Sequence, residues 1–226
     1  MKRIEKLRSI ALNAVPSKDA FDFAFFKHYH ENGGNEFERY GKSFFDAYCE
    51  LRPIIREDEL IVGEYTPFAS FEDERLWNEA YKDIKDHYQE HTIYGMSGHM
   101  AVDYEILLSK GLRGMIELVD SCLATCETEK VAFYKACRVS LEAVIRHSEN
   151  YSMEAGRQAR ETHDPKRRAE LESIAALCKK VPAQPDESFY EALQSVYFLT
   201  YCITQNPFYG IEQFVLGHPD RYLLPY

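Results

Sequence analysis

The stretch Gly98-His99-Met100-Ala101-Val102-Asp103-Tyr104-Glu105 carries the residue types best suited to chemistry in this chain. A neutral imidazole can donate to or accept from a hydroxyl, and it titrates near neutral pH, so His99 could orient or polarise an alcohol. Gly98 ahead of it lets the backbone approach a ligand closely. The same spacing has a purely structural reading, in which His99 satisfies a helix start and Asp103 is a solvated acid in the first turn. Spacing alone leaves both open.

Other constellations point away from chemistry. Cys122 and Cys126 stand at i, i+4, where two metal ligands could meet, but no second Cys or His pair has a matching spacing for a closed zinc site. The six cysteines (Cys49, Cys122, Cys126, Cys137, Cys178 and Cys202) contain no CxxC and are expected to be buried, reduced thiols. His28-x-His30 closes a helical pattern, and His87 with His91 has no Glu or Cys partner set by the sequence. No repeated Glu-x-x-His marks a di-iron bundle. There is no phosphate loop, no GxGxxG and no Gly-x-Ser-x-Gly elbow. No metal site is predicted.

The elements that must position these residues read as helices. Ile4, Leu7, Ile10 and Ala11 repeat at helical spacing before Pro16. Ser17 can cap a helix with Phe21, Phe25 and Phe26, closed by Asn32-Gly33-Gly34. A third helix, from about Asn35 to Leu51, carries Phe37, Tyr40, Phe44 and Tyr48 and stops at Pro53. Glu59–Glu64 is short, partly β-branched and bounded by turn residues, which predicts a strand. Ser70 and Asp73 suggest a capping box for a helix through Trp77, Ile84 and Tyr88. Helices are further predicted from Asp103 to Thr125 with breaks at Gly111 and Gly114, and from Glu129 to His163. Another starts at Asp164-Pro165 and ends near Val181-Pro182. A last helix covers Ser188 to Thr204, and the chain after Asn206-Pro207 reads as extended or irregular. No repeat or low-complexity linker interrupts 1–226, so one mainly α unit is expected.

Composition narrows the class. Of 226 residues 45% are hydrophobic and 28% charged, as in an ordinary globular protein, and the net charge is −10. No basic stripe interleaves with aromatics, so nucleic acid is not an expected partner. No stretch has the length of a membrane span, and Met1-Lys2-Arg3-Ile4-Glu5-Lys6 lacks a signal-peptide core, so a cytoplasmic location is expected. Sixteen Tyr and 14 Phe imply either a tightly packed helical body or a large interface.

A further series runs through the last sixty residues: Arg167-Arg168-Ala169-Glu170-Leu171, Ile174-Ala175, Val181-Pro182-Ala183, Ser188 to Gln194, and Asp220 to Tyr226. With the Gly98–Glu105 stretch it resembles the first third of the glycyl radical enzymes of the pyruvate formate-lyase and glycerol or diol dehydratase type. The resemblance covers nearly the whole chain, most specifically residues 98–114 and 165–226, and is looser before residue 60. It implies the helical N-terminal part of that α/β barrel architecture, without the barrel. In the resembled dehydratases the histidine of Gly-His-x-x-x-Asp-Tyr faces the substrate hydroxyls, which implies His99 as a substrate-binding residue. Their counterpart of Gln205–Gln213 also turns into the pocket, often with His-Ser or another small polar pair. Counting back from Pro225-Tyr226, Glu212 and Gln213 stand in that pair's place, although an exposed loop acid is an equal reading of Glu212. Gly217-His218 replaces the usual Gly-Arg.

The family stores a radical on a backbone glycine and passes it to a cysteine inside the barrel. Cys49-Glu50 follows Tyr48 rather than Gly, and Arg138-Val139-Ser140 is followed by Leu141 rather than Gly, so neither station carries over. The resemblance thus implies anaerobic lyase or dehydratase chemistry on a small polar substrate, with no catalytic or cofactor residue in this chain, which should be silent alone. It also implies a radical S-adenosylmethionine activating enzyme as partner. Rival readings are a split enzyme, whose barrel comes from a second chain, and a non-catalytic helical binding or scaffold protein. A homo-oligomer is compatible with each. Two expectations follow. His99 should lie at a concave surface near 206–213, and Phe208, Tyr209, Phe214, Tyr222, Leu223, Leu224 and Tyr226 should be poorly covered.

Overall fold

The computed structural model describes residues 2–12, 20–64, 75, 100–204 and 214–226. The first three helices are α1 (Arg3–Leu12), α2 (Ala20–Glu31) and α3 (Glu36–Glu50). After β1 (Met100–Ala101) come α4 (Tyr104–Thr125), a 3-10 turn at Thr128–Lys130, α5 (Val131–Glu161), α6 (Pro165–Lys180) and α7 (Phe189–Thr204). The short β2 (Phe214–Val215) and α8 (Pro219–Tyr222) complete the order. The predicted helix through Trp77, Ile84 and Tyr88 falls outside the described residues.

The helix boundaries follow the local chemistry. Asn35 caps α3 through a full capping box with Glu38, and Asp164 caps α6 with Pro165 in its first turn. The 31-residue α5 is the spine against which α3, α4 and α6 pack. Gly41 allows the α3 crossing, because a Cβ there would stand 3.0 Å from Ala136 Cα. Where α2 and α3 meet, Phe21, Phe44 and Tyr48 form an aromatic cluster, with ring centroids 4.8 Å apart for Phe21–Tyr48 and 4.9 Å for Phe44–Tyr48. α1 is fastened largely by charge: Arg3 pairs with Glu170 at 2.7 Å and Lys6 with Asp58 at 3.1 Å, while Ile4 and Leu12 stay exposed.

The predicted break at Gly111 is present: its φ of 65° and ψ of 172° interrupt α4. The freed backbone groups bond to the loop after α6, with Leu112 N–H donating to Pro182 O (2.8 Å) and Arg113 N–H to Ala183 O (3.0 Å). A Cβ at Gly111 would lie 2.5 Å from Ala183 O, so only glycine fits. Gly114, by contrast, sits inside the continuing helix.

The strand predicted at Glu59–Glu64 does not form. The segment from Leu51 to Glu64 is irregular, because helix side chains satisfy its backbone in place of a neighbouring strand. Gln194 on α7 accepts from Val62 N–H (2.9 Å) and donates to Val62 O (2.7 Å). Arg167 on α6 donates to Glu59 O (2.8 Å) and Arg56 O (2.7 Å), and Tyr190 donates to Leu60 O. Tyr151 meets Glu64 N–H at 3.1 Å.

The cysteines also depart in part from expectation. Cys178 and Cys202 are buried, but Cys49 and Cys122 are exposed, because they fall on the outward faces of α3 and α4. Among the described residues no helix is long and apolar enough to cross a membrane.

Candidate functional site

The one β pairing among the described residues brings together the two stretches of interest. β1 and β2 run parallel, with Met100 opposite Phe214 and Ala101 opposite Val215. His99, Glu212 and Gln213 lie outside the described residues. In sequence, the described pairing begins one residue after His99 on one strand and one residue after Gln213 on the other.

Both strands turn at once into helices. After β1, the exposed Asp103 caps α4 by accepting from Ile106 N–H at 3.2 Å, and Tyr104 N–H donates back to Val102 O at 3.0 Å. Asp103 therefore serves the helix start. After β2, Gly217 takes a positive φ of 66° beside the Ala101 side chain and leads to α8. The two corners meet through aromatic rings: Tyr104 and Tyr222 lie with centroids 5.0 Å apart and planes 38° apart. Tyr222 is only 8% exposed, which corrects the expectation that it would be left uncovered; Leu224, at 83%, is.

The hydroxyl groups extend this contact. Tyr104 Oη lies 2.6 Å from Thr200 Oγ1 on α7, and Thr200 Oγ1 donates its own proton to Val196 O at 2.7 Å. Tyr104 is therefore the donor of the pair. Tyr222 Oη donates to Leu216 O at 2.8 Å. Burial pushes both phenols above their ordinary pKa, so both stay protonated near neutral pH. Tyr104 was visible in the sequence as part of the histidine stretch, whereas nothing in the sequence marks Thr200 as its partner.

Two further buried groups titrate abnormally. His147 is fully buried among Tyr48, Tyr151, Phe198 and Tyr201, with Nε2 3.2 Å from Tyr201 Oη. Desolvation, partly offset by the Tyr48 backbone, pushes its pKa down to about 3. Asp186 accepts from Ser195 Oγ at 2.7 Å through one oxygen, while the other is buried without a partner. Desolvation pushes its pKa up to about 7, against the hydrogen bond from Ser195. Among the described residues no three His, Cys, Asp or Glu side chains are arranged to hold a metal ion.

Cys49 and Arg138, the two positions compared with the radical stations, both lie on helices. Cys49 sits near the end of α3, on its outward face. Arg138 is on α5, paired with Asp120 (3.0 Å) and Glu142 (3.0 Å).

Residues 68–226 match the model of the pyruvate formate lyase-like family. The chain belongs to this family, which places it among the glycyl radical enzymes. It is 29% identical over 140 residues to (2S)-3-sulfopropanediol dehydratase of Klebsiella oxytoca, covering 59% of this chain and 17% of the relative. It is 34% identical over 136 residues to a probable dehydratase of Escherichia coli K12, covering 57% and 16%. A solved structure from Roseburia inulinivorans, described for 1,2-propanediol dehydration, superposes with a TM-score of 0.85 at 25% identity. It covers all of this chain and 36% of that one. The chain thus spans about a third of that structure, and the matched stretch under a fifth of those relatives.

Proposed function

We propose that this chain forms one wall of the pocket of a glycyl radical dehydratase or lyase acting on a small hydroxylated substrate, with His99, Glu212 and Gln213 as its substrate-binding residues. The observation that carries the reading is the register of Met100 against Phe214, since His99 and Gln213 immediately precede that pair. The relatives support the substrate class: the named dehydratases act on a sulfonated propanediol and on 1,2-propanediol.

The roles follow from the side chains. Removing a hydroxyl as water requires a proton delivered to the leaving oxygen and a base for the neighbouring hydroxyl. A neutral His99 can donate to or accept from one hydroxyl, Glu212 can accept from the other, and the Gln213 amide can do either. The family's radical belongs on a glycine outside this stretch, and no step here runs through it. The barrel with its cysteine and glycine, whether in the same polypeptide or a second one, and a radical S-adenosylmethionine activating enzyme would be the partners.

The test is a titration of the chain with 1,2-propanediol and glycerol, followed by NMR. Shifts confined to residues 98–104 and 205–213, and lost in His99→Ala, are expected. Binding should be weak, because a single wall buries few ligand atoms. Shifts that are absent, or scattered over the surface and unchanged in His99→Ala, would overturn the reading.

A further inference from the structure

In sequence, residues 205–213 link the end of α7 to β2 and α8. One side chain makes contacts on both sides of that link in the sequence. The Tyr104 hydroxyl donates to Thr200, four residues before the end of α7, and the Tyr104 ring lies on Tyr222, at the end of α8. Tyr104 is itself the first residue of α4, three residues after β1 ends. It is 2% exposed, so both contacts are made away from water, where losing the hydroxyl partner leaves a buried polar group unsatisfied.

We infer that Tyr104 is the positioning residue of this site: together with Thr200 and Tyr222 it fixes the parallel register of β1 against β2. The inference rests on the reading that those strands lead out of the substrate pocket. Among the described residues the pairing covers Met100–Ala101 against Phe214–Val215, and side-chain contacts hold both corners that follow it. Asp103 caps α4, which fixes the direction of β1. Tyr222 also holds Leu216 O, directly after β2, which fixes the exit of that strand. Tyr104 is where these two anchored corners and α7 meet. Its hydroxyl meets Thr200 and its ring meets Tyr222, so the two contributions can be separated by substitution.

The experiment is amide exchange, measured by NMR on the whole chain, for Tyr104→Phe, Thr200→Val, Tyr222→Phe and the Tyr104→Phe/Thr200→Val double variant. Tyr104→Phe and Thr200→Val should each speed exchange at 100–101 and 214–215 about tenfold. The double variant should be no faster than either single one, because both remove the same bond. Tyr222→Phe keeps the ring contact and should act on 214–217 alone. Amides of Leu107, Leu108 and Phe198, on the buried faces of α4 and α7, should be unchanged, which separates positioning from general loosening. Unaltered strand exchange in both single variants, or an additive double variant, would overturn the inference. So would equal acceleration of the core amides. If Tyr104→Phe unfolds, Thr200→Val still decides, since it leaves Tyr104 and its stacking in place. The diol titration is a separate arm: a chain with fast strand exchange in the variants but no diol shifts would retain the positioning role and lose the substrate-site reading.

Discussion

At the scale of single residues, the most consequential group is Asp186, a carboxyl buried with one oxygen unpartnered. Its folded pKa of about 7 lies above the ordinary value of 3.8, so folding favours the neutral form. The stability this contributes is fully present below about pH 4, and is lost as pH rises to 7. Lys180 and Glu191 face it with opposite signs, and desolvation outweighs both. Asp186→Asn keeps an acceptor for Ser195 and removes the charge. It should raise stability at pH 8 by on the order of 2 kcal/mol and leave it little changed at pH 4. Urea unfolding at the two pH values checks this; an equal effect at both would remove Asp186 as the cause. His147 has the opposite sign: its pKa of about 3 means stability falls as pH drops from about 6.5 towards 3. Neither group could be singled out in the sequence, because desolvation is a property of the packed neighbours. Asp186 reads there as a residue beside a helix start, and His147 as one position of a long helix.

At the scale of elements, helices were legible because their signals are local. Asn35 with Glu38 and Asp164 with Pro165 fix their own helix starts within four residues, and the α5 stripe repeats over many turns. The Glu59–Glu64 segment was misread because its hydrogen-bond partners are distant: Gln194 and Arg167 supply from helices what a strand would have supplied. Gln194→Ala should therefore cost about 2–4 kcal/mol, since two buried backbone groups of Val62 lose their partners. A loss below about 0.5 kcal/mol in chemical denaturation, typical of a surface site, would contradict that account. Gly111 gives a second test. Gly111→Ala forces a Cβ into the carbonyl of Ala183 at a positive φ, and should cost about 3 kcal/mol or more. Gly114→Ala lies in regular helix, where a Cβ would meet only the flexible Lys110 side chain at 2.8 Å; it should cost far less, and equal losses would show that the break is not pinned at Gly111.

At the scale of the whole molecule, the family was legible before the fold was, because the histidine stretch and the last sixty residues carry it in their residue types. The strand pairing that joins those two regions was not legible. The described pairing of Met100–Ala101 with Phe214–Val215 leaves no periodicity to detect, and the aromatic contact that braces it spans more than a hundred residues, from Tyr104 to Tyr222. In the proposed function, a helical body presents the His99 stretch and the Glu212-Gln213 stretch to one substrate. The most direct measurement is the backbone separation of residues 99 and 213, read from nuclear Overhauser contacts in chain labelled selectively at His and Gln. Continuation of the parallel register predicts contacts between them and a spacing of roughly 5 Å, that of neighbouring strands. Absence of any contact between them, with the 100–214 contacts present in the same spectrum, would contradict the shared pocket.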